Sequence, residues 1–243
     1  MTVFLIAWQM AVSAGWVNEF FLPGPVRVFG QMASMVADGS LFIHIGVSLA
    51  RVAGGFAIAV LVALPLGMAI GLWRPVFHLV DPWIELVRPI PPIAWIPLAI
   101  LWLGLGETSK VAIIAYGAFF PIALNTLAGL RGVQRVHIWA ALSLGASQRQ
   151  IFWNVVMRTA LPGIVVGLRL GAGMAFVVLV AAELILANAG LGFLIQEGRN
   201  QLMTEQIMVG IVTIGILGYF INKGLLWLES RWIPYRESVH ATR

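Results

Sequence analysis

An all-α protein that crosses a membrane several times is what this sequence predicts, on three observations. Of its 243 residues 60% are hydrophobic and 10% charged, against about 25% charged in an average soluble domain. Charge-free runs long enough to span lipid recur along the chain. The alternating segments of about ten residues that build outer-membrane barrels do not appear, so helices must satisfy the backbone in lipid.

Read with its charged residues as punctuation, the chain yields about six spans. The first runs from Met1 to Asn18. It has no basic leader and no small-residue cleavage site, so a cleaved signal peptide is not expected. The second, Val52 to Trp73, carries Gly67 and Gly71 at a spacing that lets helices approach closely. The third, Pro89 to Gly106, opens on Arg88-Pro-Ile-Pro-Pro and contains Pro97. Each proline removes an amide donor, so this span is expected to kink or unwind, which is tolerated at membrane depth where it lines protein or a cavity. The fourth is Val111 to Leu130. The fifth, Leu161 to Ala187, carries Arg169 and Glu183 together with Gly163, Gly167 and Gly171, and the sixth is Gln206 to Asn222. So many spans make one membrane domain of residues 1–243, with no room for a separate soluble catalytic domain.

Orientation follows from the basic residues. With both termini on one side, that side collects Arg74, Arg131, Arg135, Arg149, Arg158, Arg231, Arg236 and Arg243, and the opposite loops hold Arg27, Lys110 and Arg199. The first side is expected to be cytoplasmic. The net charge of +5 then reflects topology, and no nucleic-acid partner is expected. The absence of cysteine excludes disulfides and thiolate metal sites. Four scattered histidines, His44, His78, His137 and His240, offer no metal site, and no catalytic constellation of the HExxH or GxSxG kind occurs.

One cytoplasmic connection is long: RGVQRVHIWAALSLGASQRQIFWNVVMRTA, about residues 131–162, with four arginines and no acid. Val133 to Leu144 and Ser147 to Met157 each suit a short helix, and Gly145 between them frees the backbone for a sharp turn. Ser147 with Gln150 makes a capping box. Ile151, Phe152 and Val155 form an apolar stripe that needs a partner, or that lies on the lipid surface.

Here the chain resembles a known family. Ala140, Ala141 and Gly145 fall at the spacing of the EAA loop of binding-protein-dependent ABC importer permeases, whose pattern is Glu-Ala-Ala, three residues, Gly, nine residues, Ile-x-Leu-Pro. Trp139 stands where that pattern has glutamate, and Arg158 where it has proline. The strings DPWIELVRPIPPIAWIPLAILWLGLGETSK, FFPIALNTLAGLRGV, LRLG, VAAELI and GLGF extend the likeness over roughly Leu41 to Trp232. They resemble the nitrate, sulfonate, taurine and bicarbonate subgroup, and within it taurine transporter permeases.

The resemblance implies a fold and a division of labour. Two permease copies pair in a bacterial inner membrane. Two ATPase subunits, which bind the ATP and Mg, engage the loop through Ala140, Ala141, Gly145, Ala146, Ser147, Gln150 and Ile151, and a periplasmic binding protein delivers solute. Transport would proceed by alternating access. The chain has no GxxxxGK[ST] phosphate loop of its own and needs no cofactor. Rival readings are a self-sufficient secondary transporter or channel, opposed by the lack of inverted repeats with paired broken helices, and an intramembrane enzyme.

Charges inside spans are functional candidates by default. Arg51 and Glu183 lie near the outer ends of oppositely directed helices, so they are expected to pair, either as structure or in transport. Arg169, about 21 Å from Glu183 along one helix, must look toward the cytoplasmic end, where Asp81, Glu85 or carbonyls are available. Arg88 either attracts an anion or anchors its helix at the interface. Asn125, Thr126 and Ser48 are further polar groups within spans.

Overall fold

A computed structural model describes residues 2–232, with side chains over 3–227. Three long helices form its centre: α3 (Ser40–Leu72), α6 (Glu107–Arg131) and α9 (Met157–Leu186). Around them lie α1 (Thr2–Ser13), α2 (Pro25–Ala37), α4 (Arg74–Val87), α5 (Ile96–Leu103), α7 (Arg135–Ser143), α8 (Gln148–Ile151), α10 (Leu191–Asn200) and α11 (Thr204–Trp232).

Small residues let the central helices touch backbone to backbone. A Cβ on Gly163 would stand 2.8 Å from Gly129 Cα, and one on Gly67 would stand 2.8 Å from the Ala123 carbonyl. Lipid tails are as apolar as leucine, so this close packing holds the bundle together where burial from water cannot. The core accordingly mixes alanine with branched residues: Ala59 and Ala63 of α3 meet Ile114, Ala118 and Ile122 of α6 and Ala175 and Leu179 of α9. Leu61 and Leu101 point outward and are more than half exposed, as lipid-facing side chains are.

The expected count of about six spans resolves differently in detail. Among the described residues four helices are long and apolar enough to cross: α3, α6, the run Gln148–Leu186 and α11. α4 and the Pro92–Leu103 segment, bent by 89°, together have the length and apolarity of either a fifth, broken span or a re-entrant loop. The first expected span is corrected most. Its helix has 12 residues, about 18 Å, because Gly15 at φ +74° ends it, with Trp16 N–H returning to the Ala11 carbonyl and Gly15 N–H to that of Val12. Absence of charge measured where lipid is tolerated and missed this stop. Met1, Arg236 and Arg243 lie outside the described residues, as does the Arg231 side chain.

The second span begins earlier than its charge-free run, since α3 continues through Arg51 to Ser40. Its 33 residues measure about 50 Å, against about 30 Å of hydrocarbon. The third span breaks as its prolines predict. Pro91 has no amide to return to the Val87 carbonyl, which accepts from Ile90 N–H at 3.0 Å instead, and the Tyr116 hydroxyl lies within donating distance of both Val87 O at 3.1 Å and Ile90 O at 3.2 Å. The second half of the long connection is no separate helix: α8 passes through a π-helical turn, Phe152–Val156, straight into α9.

Candidate functional site

Two polar groupings are built into the apolar bundle, and they differ in charge balance. The first joins α3, α6 and α9 at the Glu107 end. Arg51 donates Nη1–H to Glu183 Oε1 at 2.7 Å, and its Nε and Nη2 grip both oxygens of Glu107 at 2.6 Å. Lys110 Nζ reaches Glu107 Oε1 at 2.8 Å. Glu183, 1% exposed, also accepts from Ser48 Oγ at 2.8 Å and from Gly192 N–H at 2.8 Å. Ser48 in turn accepts from Leu191 N–H at 2.9 Å, and His44 Nδ1 accepts from Gly190 N–H at 3.1 Å.

The pairing expected between Arg51 and Glu183 is therefore present, inside a larger network. Two cations meet two carboxylates, so the group is neutral. Every buried charge is both paired and hydrogen-bonded, as burial in low dielectric demands. Its reach to Gly190, Leu191 and Gly192 clamps the α9–α10 turn onto α3. Glu107 and Lys110 are members that the sequence does not single out, because charges at the edge of the fourth span read as loop charges. Lys110 is 4% exposed.

A cavity of about 920 Å³ forms the second grouping. It opens beside the broken span and brings together Arg88, Asn125 and Arg169, with Tyr116 and Asn222 completing its polar lining. Asn125 spends one amide hydrogen on the Pro121 carbonyl at 2.8 Å, and its remaining polar valences are available. No Asp or Glu is among the wall residues. Arg169, Gly173 and Asn222 also line an adjoining cavity of about 450 Å³ between α9 and α11. Tyr116 and Asn222 carried no sequence signal beyond being polar within, or at the end of, an apolar run. Thr126, also a polar group in a span, is fully buried with no hydrogen-bond partner for its hydroxyl, and Arg51 and Glu183 stand apart from the cavity.

The long connection folds as an exposed hairpin. Gly145 sits at φ +79°, a conformation that β-branched residues resist. The capping box is complete: Gln150 N–H donates to Ser147 Oγ at 3.4 Å, and Ser147 N–H donates to Gln150 Oε1 at 2.8 Å. Ala141 and Ala146 are half-buried and Ala140 exposed, while Ile151 is buried. Leu144 is 89% exposed and Trp139 61%, which leaves apolar side chains at the tip with nothing over them.

With this geometry in hand, the comparisons with known proteins are direct. The sequence profile described as binding-protein-dependent transport system inner membrane component matches residues 60–229. The chain is 40% identical over 244 residues to the taurine transport system permease protein TauC of Escherichia coli (strain K12), covering 98% of this chain and 89% of that protein. It is 36% identical to the putative aliphatic sulfonates transport permease protein SsuC of the same strain, over 96% of this chain and 89% of that one. It is 33% identical to the nitrate import permease protein NrtB of Synechocystis sp. (strain ATCC 27184 / PCC 6803 / Kazusa), over 96% and 87%. The fold is shared with a chain of the MetNI methionine ABC transporter, at TM-score 0.61 and 19% identity over 78% of this chain and 97% of that one. It is also shared with a chain of an amino acid ABC transporter, at TM-score 0.64 and 20% identity over 83% and 96%. A profile that spans most of the chain, relatives aligned nearly end to end and a shared helical fold agree, and the chain belongs to the family of binding-protein-dependent transport system inner membrane components.

Proposed function

We propose that this chain is the membrane subunit of an ATP-driven importer and that a small anionic or zwitterionic solute crosses through the cavity at Arg88, Asn125 and Arg169. The cavity carries the reading. It is large enough for a small solute, lies where the broken span exposes backbone, and holds two guanidinium groups among walls with no carboxylate. Donors from Asn125 and Tyr116 temper the site, so that a solute is held by several weak contacts and can leave. The neutral Arg51 cluster offers no such attraction and serves as a structural clamp.

The names of the relatives give the solute class: taurine, aliphatic sulfonates or nitrate, with taurine foremost because that relative is 40% identical. Arg74, Arg131, Arg135, Arg149 and Arg158 collect at one end of the bundle, which supports a cytoplasmic assignment for that end, with both termini on the same side. The exposed hairpin there, with Leu144 at its tip, receives a separate ATPase subunit that holds ATP and Mg. A second permease copy completes the channel, and a binding protein delivers solute to the Glu107 end. Closure of the ATPase pair moves the hairpin and rocks α9, which is continuous with α8, so access to the cavity alternates.

The test is uptake of labelled taurine by proteoliposomes containing the permease, its ATPase and its binding protein. Arg169→Gln is expected to lower uptake at least tenfold while ATP hydrolysis persists. Wild-type uptake in that variant and in Arg88→Gln together would remove the cavity from the pathway.

A further inference from the structure

At the Arg131 end, the junctions of α3 with α4 and of α6 with α7 enclose a separate cavity of about 640 Å³. Its basic rim draws one arginine from each of three elements: Arg74 opens α4, Arg131 closes α6 and Arg135 opens α7, with His78 beside them. No carboxylate lines the cavity, and among the described residues none pairs with these arginines. The Arg131 guanidinium is stacked 4.0 Å from the Phe77 ring centroid, which fixes its direction and lowers the entropy lost on binding. Like charges held around one hole repel, and an anion with several oxygens relieves this through charge-assisted hydrogen bonds.

The rest of the wall is apolar, with Ile70, Leu130 and Val156 facing the same space. A free phosphate gains nothing from those side chains. One turn farther along α3 and α4, Leu66 and Val80 begin a second groove of about 420 Å³ with only apolar area on its walls. Val62, Leu66 and Ile70 follow one another at the four-residue spacing of a single helix face, so cavity and groove lie along the same side of α3. The basic rim sits where α3 and α6 end, and the groove runs from it toward the middle of α3.

The geometry points to a binding site for one anionic phospholipid of the adjacent leaflet. Arg131 and Arg135 take the phosphate, Arg74 the outer headgroup, and an acyl chain lies against Ile70, Leu66 and Val62. Basic pockets between membrane helices are suited to such headgroups. The arginine-rimmed headgroup cavity shares no wall residue with the solute cavity, and the proposal stands whichever solute is carried.

Native mass spectrometry of the full chain, released from micelles containing phosphatidylglycerol or phosphatidylcholine of equal chain length, tests it. One phosphatidylglycerol per chain is expected to survive release, and phosphatidylcholine to be lost. Arg131→Gln with Arg135→Gln should weaken retention about tenfold, and Val62→Trp should weaken it without touching a charge. Arg158→Gln, which removes charge at the same end outside the cavity, should leave retention unchanged. If the double variant does not express, Arg135→Gln alone carries the comparison, because this exposed side chain opens α7 without buried contacts. Equal retention in the cavity variants, or equal loss in Arg158→Gln, overturns the proposal. So does displacement of the lipid by millimolar inorganic phosphate, which would mark a simple anion site. Retained lipid with loss of the co-purifying ATPase would assign the arginines to that partner and also overturn it.

Discussion

Glu183 has three donors around its carboxylate, from Ser48, Arg51 and Gly192, which fix its position between α3 and the α9–α10 turn. Glu183→Gln keeps the shape but turns a donor toward donors and leaves Arg51 half-compensated. The expected loss is about 3 kcal/mol, as for breaking a buried ion pair, seen as a lower melting temperature in detergent, with the folded fraction still transporting taurine. Full stability with lost transport would move Glu183 into the pathway. Tyr116→Phe removes the hydroxyl that donates to the carbonyls of the proline break, Val87 or Ile90, at a cost of about 1 kcal/mol, readable in the same melt. Outside the spans, Asp38 accepts from Ser40 N–H at 2.8 Å, and its hydrogen bonds to Ser40 hold its carboxyl below the ordinary 3.8. A lowered folded value means that this contribution is present above pH about 4 and is lost on acidification. The Arg51–Glu183 pair was legible at this scale because two ionisable residues in apolar runs must find each other. Glu107 and Lys110 were not, since a charge at a span's edge reads as a boundary whether or not it folds inward.

Helices in this protein are positioned by what their small residues allow. The α6–α9 contact has no space for side chains at Gly129, Gly163 and Gly167, so Gly163→Val is expected to abolish accumulation in the membrane, as judged by fluorescence of a tagged chain. Gly145 behaves differently: nothing lies within 4 Å of a Cβ there, and only its φ of +79° resists substitution. Gly145→Val should therefore leave membrane accumulation intact while uptake and permease-stimulated ATP hydrolysis collapse. Unchanged transport would sink the coupling role of the hairpin. Element boundaries followed the sequence where a specific stereochemical cause existed, as at the prolines of the third span and the Ser147 capping box. They departed from it where a charge-free run was the sole guide. Such a run says where a helix can lie in lipid, while Gly15 and the two carboxylate partners of Arg51 decide where it stops or continues.

Across the whole molecule, three groupings of charge have three different consequences. A neutral cluster ties α3, α6 and α9 at one end, two arginines face the central cavity, and an uncompensated arginine rim surrounds the cavity at the other end. This distribution separates the variants by phenotype. Arg169→Gln is expected to fail in transport with normal stability, and Glu183→Gln to fail in stability with residual transport. Composition, spacing and proline chemistry act locally, so the order of residues is enough to read a helical membrane protein of this family and a glycine turn in its long connection. That Arg88, Asn125 and Arg169 share one cavity, while Arg51 and Glu183 recruit Glu107 and Lys110, emerges with the packed helices. The reason is physical: these groups sit on different helices, and their distances depend on how closely the glycine faces pack and how sharply the proline break bends, neither of which the order of residues along one helix contains.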